Sequence, residues 1–148
     1  MDALELLKTD HKTVKELFKK VETSKNDKQQ KQLFEEIKME LETHTHIEET
    51  VFYPAVAKYD ELKDMVLESL EEHKQVKTLL REMDNLTEDS EKFEPKLKVL
   101  MENVEHHAEE EEVAKMFPKV RKLMDAGALD QLGDELEAAK DKQLRKAS

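Results

Sequence analysis

The sequence predicts an all-α protein, an up-down-up-down four-helix bundle with a short fifth helix at its C-terminal end. The chain of 148 residues has the usual length of one domain and can bury one sizeable core. It contains only two glycines and three prolines, so long helices are favoured over turns. Apolar residues recur three and four positions apart in successive segments, which is the spacing of one helix face.

The first two helices follow from this periodicity and from its interruptions. Asp2 is placed to cap the first helix, whose apolar pattern runs from Leu4 to Val21. The polar stretch 24–27 breaks the pattern before a second helix resumes it. Pro54 is expected to bend or end that second helix, because proline removes a backbone donor and clashes with the preceding turn.

Two more helices and a tail complete the chain. Asp60 can cap the third helix, whose pattern fades at residues 84–85, and the fourth helix runs toward Pro118. Spaced leucines in the tail predict a short fifth helix. We therefore expect a bundle domain over residues 1–125 and a C-terminal helix over residues 126–148 that packs on the bundle or trails from it.

Charge and composition exclude several kinds of function. Thirty-six acidic against 25 basic residues give a net charge of -11, so the protein repels nucleic acid and anionic membranes. Residues 1–8 are too short and too charged for a signal peptide, and no apolar run approaches membrane-spanning length. We expect a cytoplasmic protein with neither partner. Because cysteine is absent, any metal must bind through nitrogen and oxygen.

An internal repeat divides the bundle into two halves. Residues 10–17 align with residues 72–79 at an offset of 62, with His, Lys, Val, Lys and Leu matched. With gaps of one or two residues the repeat continues: His44 meets the pair 106–107, residues 48–49 meet 111–112, and residues 52–54 meet 116–118. Each half is thus a helical hairpin with an early histidine on its first helix and a His-x-x-x-Glu motif on its second. Two hairpins form a pseudo-symmetric four-helix bundle.

Six polar side chains fall on the apolar stripes of these helices. They are His11, His44, Glu48, His73, His107 and Glu111. A single histidine on such a stripe is more often a hydrogen-bonded core residue than a ligand. Four imidazoles and two carboxylates in one apolar interior, however, all need partners, because a buried unpaired carboxylate is costly. A pair of metal ions would satisfy all six, with a purely structural polar network as the alternative.

The register of the fourth helix stays open at this point. His106 and Glu110 have the same spacing as His107 and Glu111, and we prefer the second pair because it continues the apolar face. His46 and His106 are then expected to face solvent. The rest of the acidic run 109–112 is expected to form a solvated face.

The motifs at residues 10–12, 44–54, 72–74 and 106–118 together resemble the hemerythrin/HHE cation-binding domain, over about residues 1–125. The resemblance implies an up-down-up-down bundle around a non-haem di-iron centre, bridged by an oxo or hydroxo group and two carboxylates. It further implies the following ligands: His11 and His44 for one iron, His73 and His107 for the other, and Glu48 and Glu111 as bridges.

The chain departs from the oxygen carriers of that family. Lys77 stands where a carrier has a fifth histidine, and Glu111 replaces a bridging aspartate. With two imidazoles, two carboxylate oxygens and one bridging oxygen, each ion has five ligands and one open octahedral position. Tyr53 is expected at the rim, with a phenolate ligand as the alternative, and Lys77 is expected to extend past the site to water. Manganese or zinc also suits such ligands.

Two classes of function follow from an open di-iron site. In the favoured class, dioxygen, hydrogen peroxide or nitric oxide binds the open positions and is reduced or disproportionated, as in a peroxidase, a catalase or a scavenger of nitric oxide. The alternative is an oxygen- or iron-binding or sensing module without turnover, in which occupancy changes stability or a partner contact. In both classes the expected partner is a small diatomic molecule or peroxide.

Overall fold

The computed structural model describes residues 1–87 and 89–147, with the backbone alone for Glu111 and Ala147. Within these residues every regular element is helical, and no strand is present. The predicted all-α helical bundle is therefore confirmed.

Five helical rods follow one another along the described chain. The first two rods are α1 (Ala3–Glu22) and a continuous rod made of α2 (Asp27–Ile47), the π-helical segment π1 (Glu48–Phe52) and α3 (Tyr53–Val56). The others are α4 (Asp60–Asp84), then a second continuous rod of α5 (Phe93–Glu105), π2 (His106–Met116) and α6 (Phe117–Leu123), and finally α7 (Ala126–Ala147). Each of the first three rods packs against the next one along the chain, as short connections between antiparallel helices predict.

The helix starts agree only partly with the sequence prediction. Asp2 caps α1 by accepting a hydrogen bond from the backbone of Glu5 at 2.8 Å. The cap of α4 is Tyr59, so the prediction for Asp60 was wrong by one residue. Asp60 lies instead in the first turn, where its negative charge favours the helix dipole. Pro54 does not end its rod: it follows π1 closely, and α3 continues past it to Val56.

Two apolar clusters fill the interior of the bundle. One surrounds Phe52 and Phe117 and includes Leu7 and Val66. The other contains Val14, Phe18, Phe34, Leu41, Val76, Phe93 and Leu100. Along each of the first four rods a polar segment lies between the members of the two clusters. A polar layer therefore crosses the middle of the bundle.

The fifth helix is confirmed, but it is as long as the bundle helices rather than short as predicted. The helix α7 spans 22 residues and packs against α1, α2 and π1. It buries Leu129, Leu132 and Leu136. A β-carbon at Gly133 would overlap the carbonyl oxygen of Met1, so glycine is what lets the N-terminal backbone approach α7 this closely. Among the described helices, none is both long enough and apolar enough to cross a membrane.

Candidate metal centre

Six side chains of the described residues meet in the polar layer, and every rod of the four-helix bundle contributes. Their nitrogen and oxygen atoms form two groups, within each of which the atoms lie within 4.8 Å of one another: His11, His44, Glu48 and Glu112, and Glu48, His73 and His107. Glu48 and Glu112 are completely buried, and His73 is 1% exposed. Because Glu48 belongs to both groups, the two groups form one connected cluster.

In all four histidines the Nε2 atom points toward the carboxylates. His44 Nε2 and His73 Nε2 each lie 3.1 Å from Glu48 Oε1. His11 Nε2 and His107 Nε2 lie 3.1 and 3.4 Å from Glu112 Oε1. The Nε2 atoms of His73 and His107 are 3.1 Å apart. Two nitrogens bound at about 2.1 Å to one ion at a right angle stand about 3 Å apart, so this spacing fits a shared cation.

Three outer carboxylates hold the imidazole rings in this orientation. The accepting oxygens are Asp10 Oδ2 for His44 at 2.9 Å, Glu49 Oε2 for His73 at 2.7 Å, and Glu72 Oε1 for His107 at 2.6 Å. A carboxylate only accepts, so Nδ1 donates in each pair and Nε2 is left free for a cation. Sequence reasoning did not identify these residues. Two of them could have been found from the sequence, because Asp10 directly precedes His11 and Glu72 directly precedes His73.

Several atoms of the cluster lack hydrogen-bond partners. Among the side chains that the structure describes, His44 Nε2 and both oxygens of Glu48 find no partner. The same is true of His11 Nδ1, which lies on the side of its ring opposite the ligand atom Nε2. The 3.1 Å approach of His44 Nε2 to Glu48 Oε1 does not have the geometry of a hydrogen bond. Buried polar atoms without partners are rare and costly. Atoms that converge on a common point without bonding one another fit a site that binds a cation.

The pKa values of the two central carboxylates, Glu48 and Glu112, also fit a site that binds a cation. Burial raises the pKa of Glu112, and the neighbouring Glu48 carboxylate raises it further. Burial would also raise the pKa of Glu48, but its contacts with His44, Glu112 and His73 together outweigh burial and hold the pKa well below its usual range. Glu48 is therefore the ionised member of the pair. A bound cation would allow both carboxylates to be ionised in this buried layer.

The carboxylate that π2 brings into the cluster is Glu112. In a π-helix, residues five positions apart share a face, so Glu112 lies beside His107. The expectation that Glu112 belongs to a solvated acidic face was wrong, because its side chain is completely buried. The sequence prediction for Glu111 falls on a side chain outside those that the structure describes. The surface pair is His106 and Glu110, whose side chains contact each other at 2.8 Å with His106 51% exposed.

The repeat contained a signal for Glu112. The offset is 62 residues at His11 and His73, and 64 residues where 52–54 meet 116–118. The second half therefore holds two extra residues by that point, and an offset of 64 pairs Glu48 with Glu112. The α-helical period of 3.6 residues does not predict this pairing. A π-helical turn contains an extra residue, so every residue after it is rotated to a different face of the helix.

Tyr53 is a buried member of the cluster rather than a rim residue, so that expectation was wrong. Its hydroxyl donates to Glu112 Oε2 at 2.9 Å and lies 3.3 Å from Nε2 of both His73 and His107. On an ideal α-helix Tyr53 would point away from His44. The extra residue in the wide turn of π1 rotates it back by about 100°. Burial and the nearby carboxylates raise the pKa of Tyr53 well above its usual range, so the phenol stays protonated.

Lys77 reaches the cluster through an outer carboxylate. Its Nζ atom lies 2.9 Å from Glu49 Oε1 and 2.8 Å from Glu49 Oε2. The sequence predicts that Lys77 extends past the site to water, and its side chain is 46% exposed. Its ion pair with Glu49, however, links it to the hydrogen bond that orients His73.

A cavity of about 120 Å³ adjoins the cluster. All four histidines line it on one side, and apolar residues of the adjacent core line it on the other: Val14, Phe18, Leu41, Val76 and Val104. This cavity offers a small molecule a largely apolar space next to the imidazole rings.

The stability of the metal-free protein should depend on pH through the imidazole of His73. Burial lowers the pKa of His73, but the carboxylates of Glu48 and Glu49 outweigh burial and raise it from 6.5 to about 9. A pKa raised by folding stabilises the protein fully below pH 6.5, and this stabilisation is lost as the pH rises through about 9. The melting temperature of the metal-free protein should therefore fall from pH 6.5 to 9.

Metal should change that trend, because cations compete with protons for Nε2 and bind better as the pH rises. Thermal unfolding with and without metal, at each pH, checks both statements. His73→Gln is the control that removes the titrating ring. A metal-free melting temperature that stays level or rises over this range, or falls equally in His73→Gln, would contradict the assignment of the trend to His73.

The fold and the cluster together define a helical-bundle protein whose interior carries histidines and glutamates that could bind metal. The family model of the hemerythrin HHE cation binding domain matches residues 2–120. The chain therefore belongs to the hemerythrin HHE family, and the resemblance noted in the sequence is confirmed.

Comparison with known proteins supports this assignment. A crystal structure of a hemerythrin HHE cation binding domain-containing protein from Mycobacterium kansasii superimposes with a TM-score of 0.87 at 26% identity, over 99% of this chain and 90% of that one. An uncharacterized protein of Mycobacterium tuberculosis is 31% identical over 147 residues, covering 98% of this chain and 88% of that protein. A protein of Nostoc sp. named DNA nickase is 26% identical over 142 residues, but the chain spans only 40% of its length.

Proposed function

We propose that this chain binds two metal ions, iron in the first instance, and uses them to react with hydrogen peroxide, dioxygen or nitric oxide. One observation carries the proposal: two groups of buried ligand atoms share Glu48, and several of these atoms have no other partner. The proposed ligands are His11 and His44 for the first ion, His73 and His107 for the second, and Glu48 and Glu112 as bridges.

The ligand chemistry supports iron but admits other metals. Imidazole and carboxylate together suit iron and manganese, and zinc competes for the same donors. Two imidazoles and the shared oxygens would leave a coordination position open on each ion, and the cavity beside the histidines would give a small molecule room to bind. Bound iron would supply the redox chemistry and the affinity for small oxygen or nitrogen species that side chains lack.

The chain's own residues would control protons and access. Tyr53 holds a proton 2.9 Å from Glu112 Oε2, beside the proposed second ion, and remains neutral because its pKa is raised. The outer carboxylates orient the rings of their histidines so that Nε2 faces the proposed ions. The net charge of -11 opposes binding of DNA, so we do not extend the activity named for the Nostoc relative to this chain. The proposal keeps the cytoplasmic location predicted from the sequence.

The test compares two samples of the protein, one loaded with iron and the other with zinc. Iron-loaded protein should contain two ions per chain, absorb in the near ultraviolet and release oxygen from hydrogen peroxide. Zinc-loaded protein should hold two ions in the same ligands without reacting, because zinc has no redox chemistry. Reversible oxygen binding without turnover would favour the binding or sensing alternative. Failure to bind two ions of either metal would overturn the di-metal proposal.

A further inference from the structure

The carboxylate of Asp10 joins the metal centre to the C-terminal helix. Asp10 is 3% exposed, and its two oxygens serve different partners. Oδ2 accepts the hydrogen bond from His44 Nδ1 at 2.9 Å. Oδ1 accepts from Lys140 Nζ at 2.6 Å, and Lys140 lies on α7. A chain of charge-assisted contacts thus runs from α7 through α1 to the imidazole of α2.

The second half of the bundle lacks this arrangement at the matching residue. Glu72 matches Asp10 in the repeat and accepts from His107 at 2.6 Å. Its other oxygen lies 3.7 Å from Nε2 of His106, a half-exposed residue of the same bundle. In the first half the second oxygen of the outer carboxylate is therefore paired with a residue of the fifth helix. In the second half it lies near a residue adjacent to the histidine that it orients. A carboxylate as buried as Asp10 needs a strong partner for its second oxygen, because burying an incompletely paired charge is costly.

The position of Lys140 depends on the docking of the whole helix. The helix α7 packs on α1, α2 and π1 through Leu129, Leu132 and Leu136. The family match ends at residue 120, so Lys140 lies outside the segment that the family model describes. If α7 moved away, Asp10 would lose a charge partner and the orientation of His44 would be less restricted.

We propose that α7 supports the metal centre through Lys140. Lys140 is a positioning residue: it holds the carboxylate of Asp10 in place, and Asp10 in turn orients the ring of His44. Metal binding at the His11 and His44 position and docking of α7 then stabilise each other, because coupling between two binding equilibria is reciprocal. This inference rests on the proposed function only in requiring that this position binds a metal ion.

The test measures zinc affinity, which needs no redox turnover. Lys140→Met removes the charge and keeps most of the aliphatic stem, and Lys140→Arg restores the charge. Lys142→Met is the matched control, because Lys142 is exposed on the same helix. Competition with a chelator should show two zinc ions in each protein. In Lys140→Met one of them should bind about 10-fold more weakly, the low end of the effect of losing an outer partner. Lys140→Arg should recover most of that affinity, and Lys142→Met should match wild type.

Amide hydrogen exchange provides a readout that a purely structural lysine would not change. Zinc should slow exchange in α7 of the wild-type protein, and this dependence on zinc should be much smaller in Lys140→Met. Melting of the metal-free variants checks that they fold. Equal zinc affinities for wild type and Lys140→Met, or exchange in wild-type α7 that is indifferent to zinc, would overturn the inference. Wild-type protein that binds no zinc or iron would overturn the proposed function itself, and the inference with it.

Discussion

Replacing Glu112 with glutamine should deprive the protein of metal, whereas the same change at Glu111 should leave the metal content intact. Glutamine keeps the size of the side chain and removes its charge. At position 112 it removes a completely buried carboxylate that contacts His11 and lies 3.4 Å from His107 Nε2. Loss of a proposed bridging ligand should weaken binding by more than the about 10- to 100-fold typical of an outer partner.

Metal analysis after loading and desalting measures this difference directly. The two variants are a matched pair, because the residues are adjacent, chemically identical and changed in the same way. Circular dichroism of both metal-free proteins shows whether the bundle persists. If Glu111→Gln loses the metal and Glu112→Gln retains it, the α-helical spacing predicted from the sequence is correct for the ligand, and the pairing of Glu48 with Glu112 is not.

Replacing His44 or His107 with alanine should remove metal and thermal stability together. Each loss would leave the facing carboxylates without a common cation. A metal present at 100 times its dissociation constant stabilises the folded state by about 3 kcal/mol. For a chain of this size, 1 kcal/mol shifts the melting temperature by about 2–4 °C, so loaded wild type should melt about 6–12 °C above the variants.

The control is His46, an exposed histidine on the same helix as His44. His46→Ala should keep both the metal and the melting temperature of the loaded protein, because this ring belongs to neither ligand group. Scanning calorimetry with metal and with chelator separates the effect of metal from that of the substitution. A His44→Ala or His107→Ala protein that still gains the full wild-type stabilisation from metal would show that the ring is not a ligand.

The sequence by itself determined the helical class and the histidines of the cluster. Both follow from local periodicity, since the low glycine and proline content and the three-and-four spacing act within single helices. His11, His44 and His73 lie on α-helical segments, where an apolar stripe indicates correctly which side chains face inward. The repeat added that the two halves resemble each other, which brought the four histidines into one layer.

Tertiary structure alone decided the features that depend on a change of helix type or on distant contacts. The π-helical turns rotate Tyr53 into the cluster and select Glu112, and a search at a fixed period of 3.6 residues does not reveal such turns. Lys140 meets Asp10 across 130 positions of the chain, and no local pattern predicts that meeting. Glu49 and Glu72 orient histidines of other helices, because the packing of rods, rather than the sequence of any one of them, brings a carboxylate to each Nδ1.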